Sequence, residues 1–223
     1  MKPALSPAAS ELLDYLQDLG FEDLYLRSGE PSVAERADER LEDVAAEATR
    51  CERCDLSKGR NSVVFGAGSP TADLMFIGEG PGAEEDRQGL PFVGRAGELL
   101  TRIITAIDMT REEVYIANIV KCRPPGNRDP QPQEVAACRS YLERQIDLIR
   151  PRVIVLLGRV AAQTLLGNNL PLGRMRGQWY KVRDVDTRVT YHPAALLRNV
   201  SFKRPTWEDM QVIRDHLVES RRS

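Results

Sequence analysis

Long apolar runs are missing from this chain. No stretch approaches the roughly 18–20 residues needed to span a bilayer, so no transmembrane helix and no membrane partner are expected. The opening residues, MKPALSPAASELLDYL, have no long apolar centre and already carry acids. They argue against a secretory signal, and a cytoplasmic location is the expectation. Histidine is scarce as well: His192 and His216 are the only two, so any imidazole chemistry must run through one of them. No internal repeat or low-complexity tract occurs, which removes solenoids and fibrous arrays. Excess positive charge is also absent, with a formal net charge of −2, which at first sight speaks against nucleic acid.

The distribution of charge reverses that impression. Residues 1–50 hold 12 acids against 5 bases, which leaves 21 acids against 26 bases for the rest. A mildly basic body behind an acidic leader is compatible with local phosphate contacts. The length, 223 residues, with 42% apolar and 29% charged content, suits one sizeable α/β domain. Residues 1–40 read as an acidic extension: helical spacing of Leu12, Leu13, Leu16 and Leu19, then a polar Gly/Pro/Ser linker over 27–38. Residues 41–223 read as the domain.

Within that domain apolar strands alternate with helices. Strands are expected at 73–78, 114–120, 152–157 and 187–191. Helices are expected from about 41 to 51 and over 94–108, 133–150, 159–166 and 207–219. On the second-last long helix pattern, Val135, Cys138, Leu142, Ile146 and Ile149 share a face. Such alternation indicates an α/β fold, a parallel sheet covered by helices on both sides. Ligands of open parallel sheets bind beyond the carboxyl ends of the strands, and three unusual segments fall there.

The first segment is GEGPGAEED, residues 78–86. Its glycines let backbone approach a ligand closely. The dinucleotide register of Gly78, Gly80 and Ala83 is spoiled by Pro81, and a solvated surface turn is the plain alternative. Phe92 follows in a Pro/Gly loop, either as a core anchor or as a stacking platform for a flat heterocycle. Asn118 ends the second strand, where its amide either caps the loop or reads a base edge. The third segment, HPAALLR at 192–198, begins at His192, whose following proline is expected to hold the chain away from helix. His216 is expected on a solvated helix face.

Four cysteines complete the pattern: Cys51, Cys54, Cys122 and Cys138. Disulfides are disfavoured in a cytosolic chain, so a C-x2-C pair with two further cysteines points to a metal or cluster. A redox C-x-x-C pair would not need Cys122 and Cys138. Zinc and a [4Fe–4S] cluster both accept four thiolates, and four unliganded cysteines is a third option. The second pair is spread over 15 intervening residues, unlike a compact zinc knuckle, which favours the cluster.

In this order, CERC with LSKGRNSVVFGAG, GEGPGAEEDRQGLPFVGRAG, NIVKCRPPGNRDP, Cys138 and YHPAALLRN resemble the family 4 uracil-DNA glycosylases, over about residues 41–220. The resemblance implies a three-layer α/β/α fold with a central four-stranded parallel sheet. It implies a [4Fe–4S] cluster on Cys51, Cys54, Cys122 and Cys138, and a monomer acting on uracil-containing DNA, single- or double-stranded. It implies that Phe92 stacks on a flipped uracil, that Asn118 reads its Watson–Crick edge, and that His192 donates toward uracil O2. Gly78, Gly80, Glu79 and Glu85 would line the pocket. Glu79, with Glu85 second, would position water, because Gly80 stands where better-known uracil glycosylases have aspartate. Leu196, Leu197 and Arg198 would fill the gap left in the duplex. No histidine lies between Cys122 and Cys138, where a related group forms a covalent adduct, so turnover without a stable adduct is expected. A non-catalytic iron–sulfur DNA-binding or polymerase-associated protein of the same fold, and a nucleotide-binding zinc protein, are the competing readings.

Overall fold

The computed structural model describes residues 40–220. The expectations for the N-terminal extension lie outside the described residues. In chain order the main elements are α1 (Leu41–Thr49), β1 (Ala67–Gly68), β2 (Leu74–Gly78), α2 (Ala83–Gln88), α3 (Arg95–Thr105), β3 (Tyr115–Asn118), α4 (Pro132–Ile149), β4 (Val153–Leu157), α5 (Arg159–Leu166), α6 (Leu172–Met175), β5 (Trp179–Val182), β6 (Val185–Thr190), α7 (Pro193–Arg198) and α8 (Lys203–Ser220). Among the described residues, no helix is long and apolar enough to cross a membrane.

The strands form one sheet in the order β1-β3-β2-β4-β6-β5. The central four, β3-β2-β4-β6, are parallel, as the alternation of strands and helices requires. Two short antiparallel strands, β1 and β5, extend the edges. The sheet therefore has six strands rather than four, and the additions lie outside the parallel centre.

The strand residues explain the layering. Successive side chains point to opposite faces, and on β2 both faces are apolar. Leu74 and Phe76 join Ile116, Val153 and Val155 on one side, packed against Leu100 and Ile104 of α3 and Met210 and Ile213 of α8. Met75 and Ile77 join Ala117, Ile154 and Leu156 on the other, packed against Leu142 and Ile146 of α4 and Ala161 of α5. A strand buried on both faces cannot alternate with polar residues, hence the continuous LMFI run.

Helix ends set the loops that matter. Pro132 occupies the first turn of α4, where its missing N–H costs nothing. Glu134, 3% exposed, accepts from Gln131 N–H at 2.7 Å and from both Arg128 guanidinium nitrogens at 2.9 and 2.6 Å. This bidentate pair fixes the proline-rich segment between Cys122 and α4. The proline after His192 does not keep the chain out of helix. Pro193 starts α7 at its first turn, with His192 as the N-cap, because φ near −65° suits that position. The closing helix starts at Lys203, four residues earlier than the apolar pattern indicates.

Candidate active site

Parallel strands put all their carboxyl ends on one edge, so Gly78, Asn118 and the residues after β6 meet there. At that edge lies a cavity of about 680 Å³ lined by Glu79, Gly80, Glu85, Phe92, Asn118 and His192, with Arg198 at its wall; Gly78 lies beneath it, against Asn118 and Phe92, and does not line it. The glycine-rich turn, the strand-end amide and the imidazole thus share one slot.

Gly78 and Asn118 are register partners on β2 and β3. A Cβ on Gly78 would stand 2.5 Å from Asn118 Oδ1 and 2.6 Å from Phe92 Cζ. Glycine is required there by close approach. Asn118 is 1% exposed, and its Oδ1 is buried without a hydrogen-bond partner among the described residues. An orphaned buried acceptor is costly.

Phe92 is held in the left-handed region, at φ 52°. That conformation is uncommon for a bulky residue, and its neighbours enforce it. Glu85 Oε1 accepts the N–H groups of Val93 and Gly94 at 2.9 and 3.0 Å, and Arg111 donates to the Pro91 carbonyl. The Phe92 ring lies 5.4 Å from the His192 ring, tilted by 31°.

His192 Nδ1 accepts the Ala194 N–H at 3.1 Å. The neutral ring therefore carries its proton on Nε2, free to donate. Burial, then the nearby charge of Arg198, pushes its pKa down to about 4 against an opposing pull from Glu85. The imidazole is a neutral donor at physiological pH. Glu79 is shifted the other way, up to about 7, by burial and then by the negative charge of Asp129, with Arg159 opposing. Asp129 and Arg159 are themselves an ion pair on the cavity wall.

Glu85 holds the Phe92 loop through Oε1 and, like Glu79, lines the cavity. Leu196 is 3% exposed. Its side chain is buried in the protein by the turn of α7 and is not available to enter a duplex. Leu197 is 41% exposed, and Val200, not anticipated, is 69% exposed. His216 is not simply solvated: its Nε2 lies 3.0 Å from Asp186, and its ring 4.4 Å from that of Trp179.

The four cysteines form no disulfide and converge on a second cavity with Arg60, Lys121 and Tyr141. Arg60 donates to Cys122 Sγ at 3.4 Å, and the Lys121 N–H to Cys138 Sγ at 3.3 Å. Among the described residues, no group of three His, Cys, Asp or Glu side chains is arranged to hold a single metal ion. Sequence reading missed Gly158, Arg159 and Asp129, which also line the first cavity. The glycine that ends the VIVLL run was a usable signal for the first of them.

A slot with an aromatic wall, an unsatisfied amide and a neutral imidazole accepts one planar hydrogen-bonding ring, so fold and site define an α/β protein that binds a heterocyclic base. Residues 65–211 match the family described as the Uracil DNA glycosylase superfamily. The chain is 43% identical to a type-4 uracil-DNA glycosylase of Sulfurisphaera tokodaii, over 82% of this chain and 87% of that one. It is 43% identical to type-4 enzymes of Archaeoglobus fulgidus, over 78% and 92% of the two chains, and of Thermotoga maritima, over 78% and 93%. The protein belongs to the uracil-DNA glycosylase superfamily, in its type-4 group.

Proposed function

We propose that the protein excises uracil from DNA by hydrolysing the N-glycosidic bond, as the first step of base excision repair. The observation that carries this reading is the orphaned Oδ1 of Asn118, a residue that lines the slot together with Phe92 and His192. Uracil offers an N3–H donor to that oxygen and an O4 acceptor to the amide N–H. Cytosine offers an acceptor at N3 and a donor at N4, so both contacts would oppose.

The chemistry follows from the groups present. A flipped nucleotide pays an unstacking cost and recovers it in the pocket. Departure of the base leaves negative charge on uracil and an oxocarbenium sugar. The His192 Nε2–H, pointed at O2, stabilises the anion, and one such fixed donor contributes roughly 3–4 kcal/mol in a water-poor site. Ionised Glu79 stabilises the cation or orients the attacking water. No histidine lies between Cys122 and Cys138, so the product dissociates without a covalent adduct.

Cys51, Cys54, Cys122 and Cys138 fit a [4Fe–4S] cluster. Four thiols line one cavity, and two of their sulfurs accept N–H donors, from Arg60 and from the Lys121 main chain, as cluster thiolates do. When bound, the cluster supplies a structural cross-link between the segment after α1, the segment after β3, and α4. A non-catalytic protein of the same fold would have no use for the aligned Asn118, Phe92 and His192. Incubation with an oligonucleotide labelled at one deoxyuridine tests the proposal: free uracil is the expected product, and none at any protein concentration would refute it.

A further inference from the structure

Between the base slot and the cysteine cavity lies a buried polar cluster that the chemistry above leaves unused. Lys121 is 1% exposed, a rare place for an ammonium. Its Nζ donates to the Asn118 main-chain carbonyl at 2.9 Å and to Gln145 Oε1 at 2.5 Å, and it faces the Phe65 ring at 5.8 Å. Those contacts account for the three donors of an ammonium. Gln145 is itself fixed, donating through Nε2 to the Phe65 carbonyl at 2.9 Å and to Tyr115 Oη at 3.0 Å. Gly66 leaves room for this closure, since a Cβ there would lie 2.7 Å from Tyr115 Oη and 3.0 Å from Gln145 Nε2.

The main chain of the same residue faces the other cavity. The Lys121 N–H donates to Cys138 Sγ at 3.3 Å, and its carbonyl accepts the Val64 N–H at 2.8 Å. Cys122 is the next residue. A buried charge is expensive to keep, and removing it alone would leave the Asn118 carbonyl and Gln145 Oε1 without a donor. Its retention calls for a reason beyond packing.

We propose that Lys121 is a positioning residue that ties the base-reading end of β3 to the cysteine cavity. The ammonium clamps the main chain at Asn118, and the amide of the same residue holds Cys138. The clamp rests on the excision reading above, because its effect on rate is exerted through Asn118. It sets the aim of the Asn118 amide, so its loss is felt in the chemical step and not in DNA binding.

The test combines Lys121→Met with Asn118→Ala in the full chain with its cluster loaded, and visible absorption per chain reports loading. Expected is a roughly tenfold lower kcat with little change in KM, and no further loss when Lys121→Met is added to Asn118→Ala. Losses that multiply would overturn the clamp. Amide exchange supplies a readout independent of activity. Ile119 and Val120, whose N–H groups donate to the Gly78 and Glu79 carbonyls, exchange faster in Lys121→Met while β6 does not. Unchanged exchange at both would also overturn it. Should wild-type protein release no uracil, the function fails and the exchange comparison still decides the clamp. Should Lys121→Met not fold, Gln145→Leu carries the same comparisons, with Lys121 and every cysteine in place.

Discussion

Gly78 and Asn118 stand side by side on two parallel strands, and the missing side chain of the first makes room for the amide of the second. A methyl group on Gly78 would enter the space of Asn118 Oδ1 and of the Phe92 ring at once. Gly78→Ala is therefore expected to lower excision by about a hundredfold, the scale of a 1 Å misplacement in a site. Single-turnover rates on a uracil oligonucleotide check this, and a near-wild-type rate would show that the slot tolerates the shift.

The raised pKa of Glu79 gives the enzyme a pH profile. In the proposed mechanism Glu79 works as a carboxylate, so kcat/KM is expected to rise as pH increases through about 7 and then to level off. His192, near 4, is neutral throughout that range and adds no second limb. Glu79→Gln should be slow and flat across it. A wild-type profile without the rise would remove Glu79 from the role.

The same group affects stability with a definite sign. An acid whose folded pKa is raised holds its proton in the native state above its unfolded pKa. Stability is then lost as pH climbs from the ordinary carboxyl value, 4.5, to about 7 and is constant beyond. The Tm of Glu79→Gln minus that of wild type should grow over this interval. A difference independent of pH would contradict the burial argument.

On α7, adjacent leucines should behave differently. Leu196→Ala empties a buried position and is expected to cost about 3 kcal/mol of stability. Leu197→Ala should leave Tm nearly unchanged and slow excision from double-stranded DNA, roughly tenfold, more than from single strands, where no gap needs filling. Equal effects on both substrates would rule out a wedge at Leu197.

Much of this was readable in the residues. Three of the four parallel strands announce themselves as short apolar runs, because burial on both faces forces apolar residues to be continuous, whereas β6, VDTRVT, mixes valine with buried Thr187, Arg188 and Thr190. The edge strands β1 and β5 do not. The first has two residues, and the second carries the exposed Trp179 among polar neighbours. The order of the leucines in α7 was hidden because Pro193 reads equally as a helix breaker or a first-turn residue, and only the helix phase separates Leu196 from Leu197. Glu85 and Lys121 were illegible for another reason. Their partners, main-chain groups of Val93, Gly94 and Asn118 and the Gln145 side chain, are brought near by the fold, and no sequence spacing encodes them.

The cysteine cavity yields a prediction of its own. Cys138→Ala should lose the broad visible absorption of the purified protein, lose iron, and unfold at lower temperature. A colourless wild-type protein prepared without oxygen, or zinc in place of iron, would contradict the cluster.

The central claim is that Asn118 reads uracil, and Asn118→Asp tests it most directly. A carboxylate in that place turns the donor that should meet O4 into an acceptor, with the surrounding slot unchanged. Release of free uracil is expected to fall by roughly a hundredfold or more relative to wild type, with iron content and DNA affinity preserved. An unchanged release rate in Asn118→Asp would mean that the base is read elsewhere.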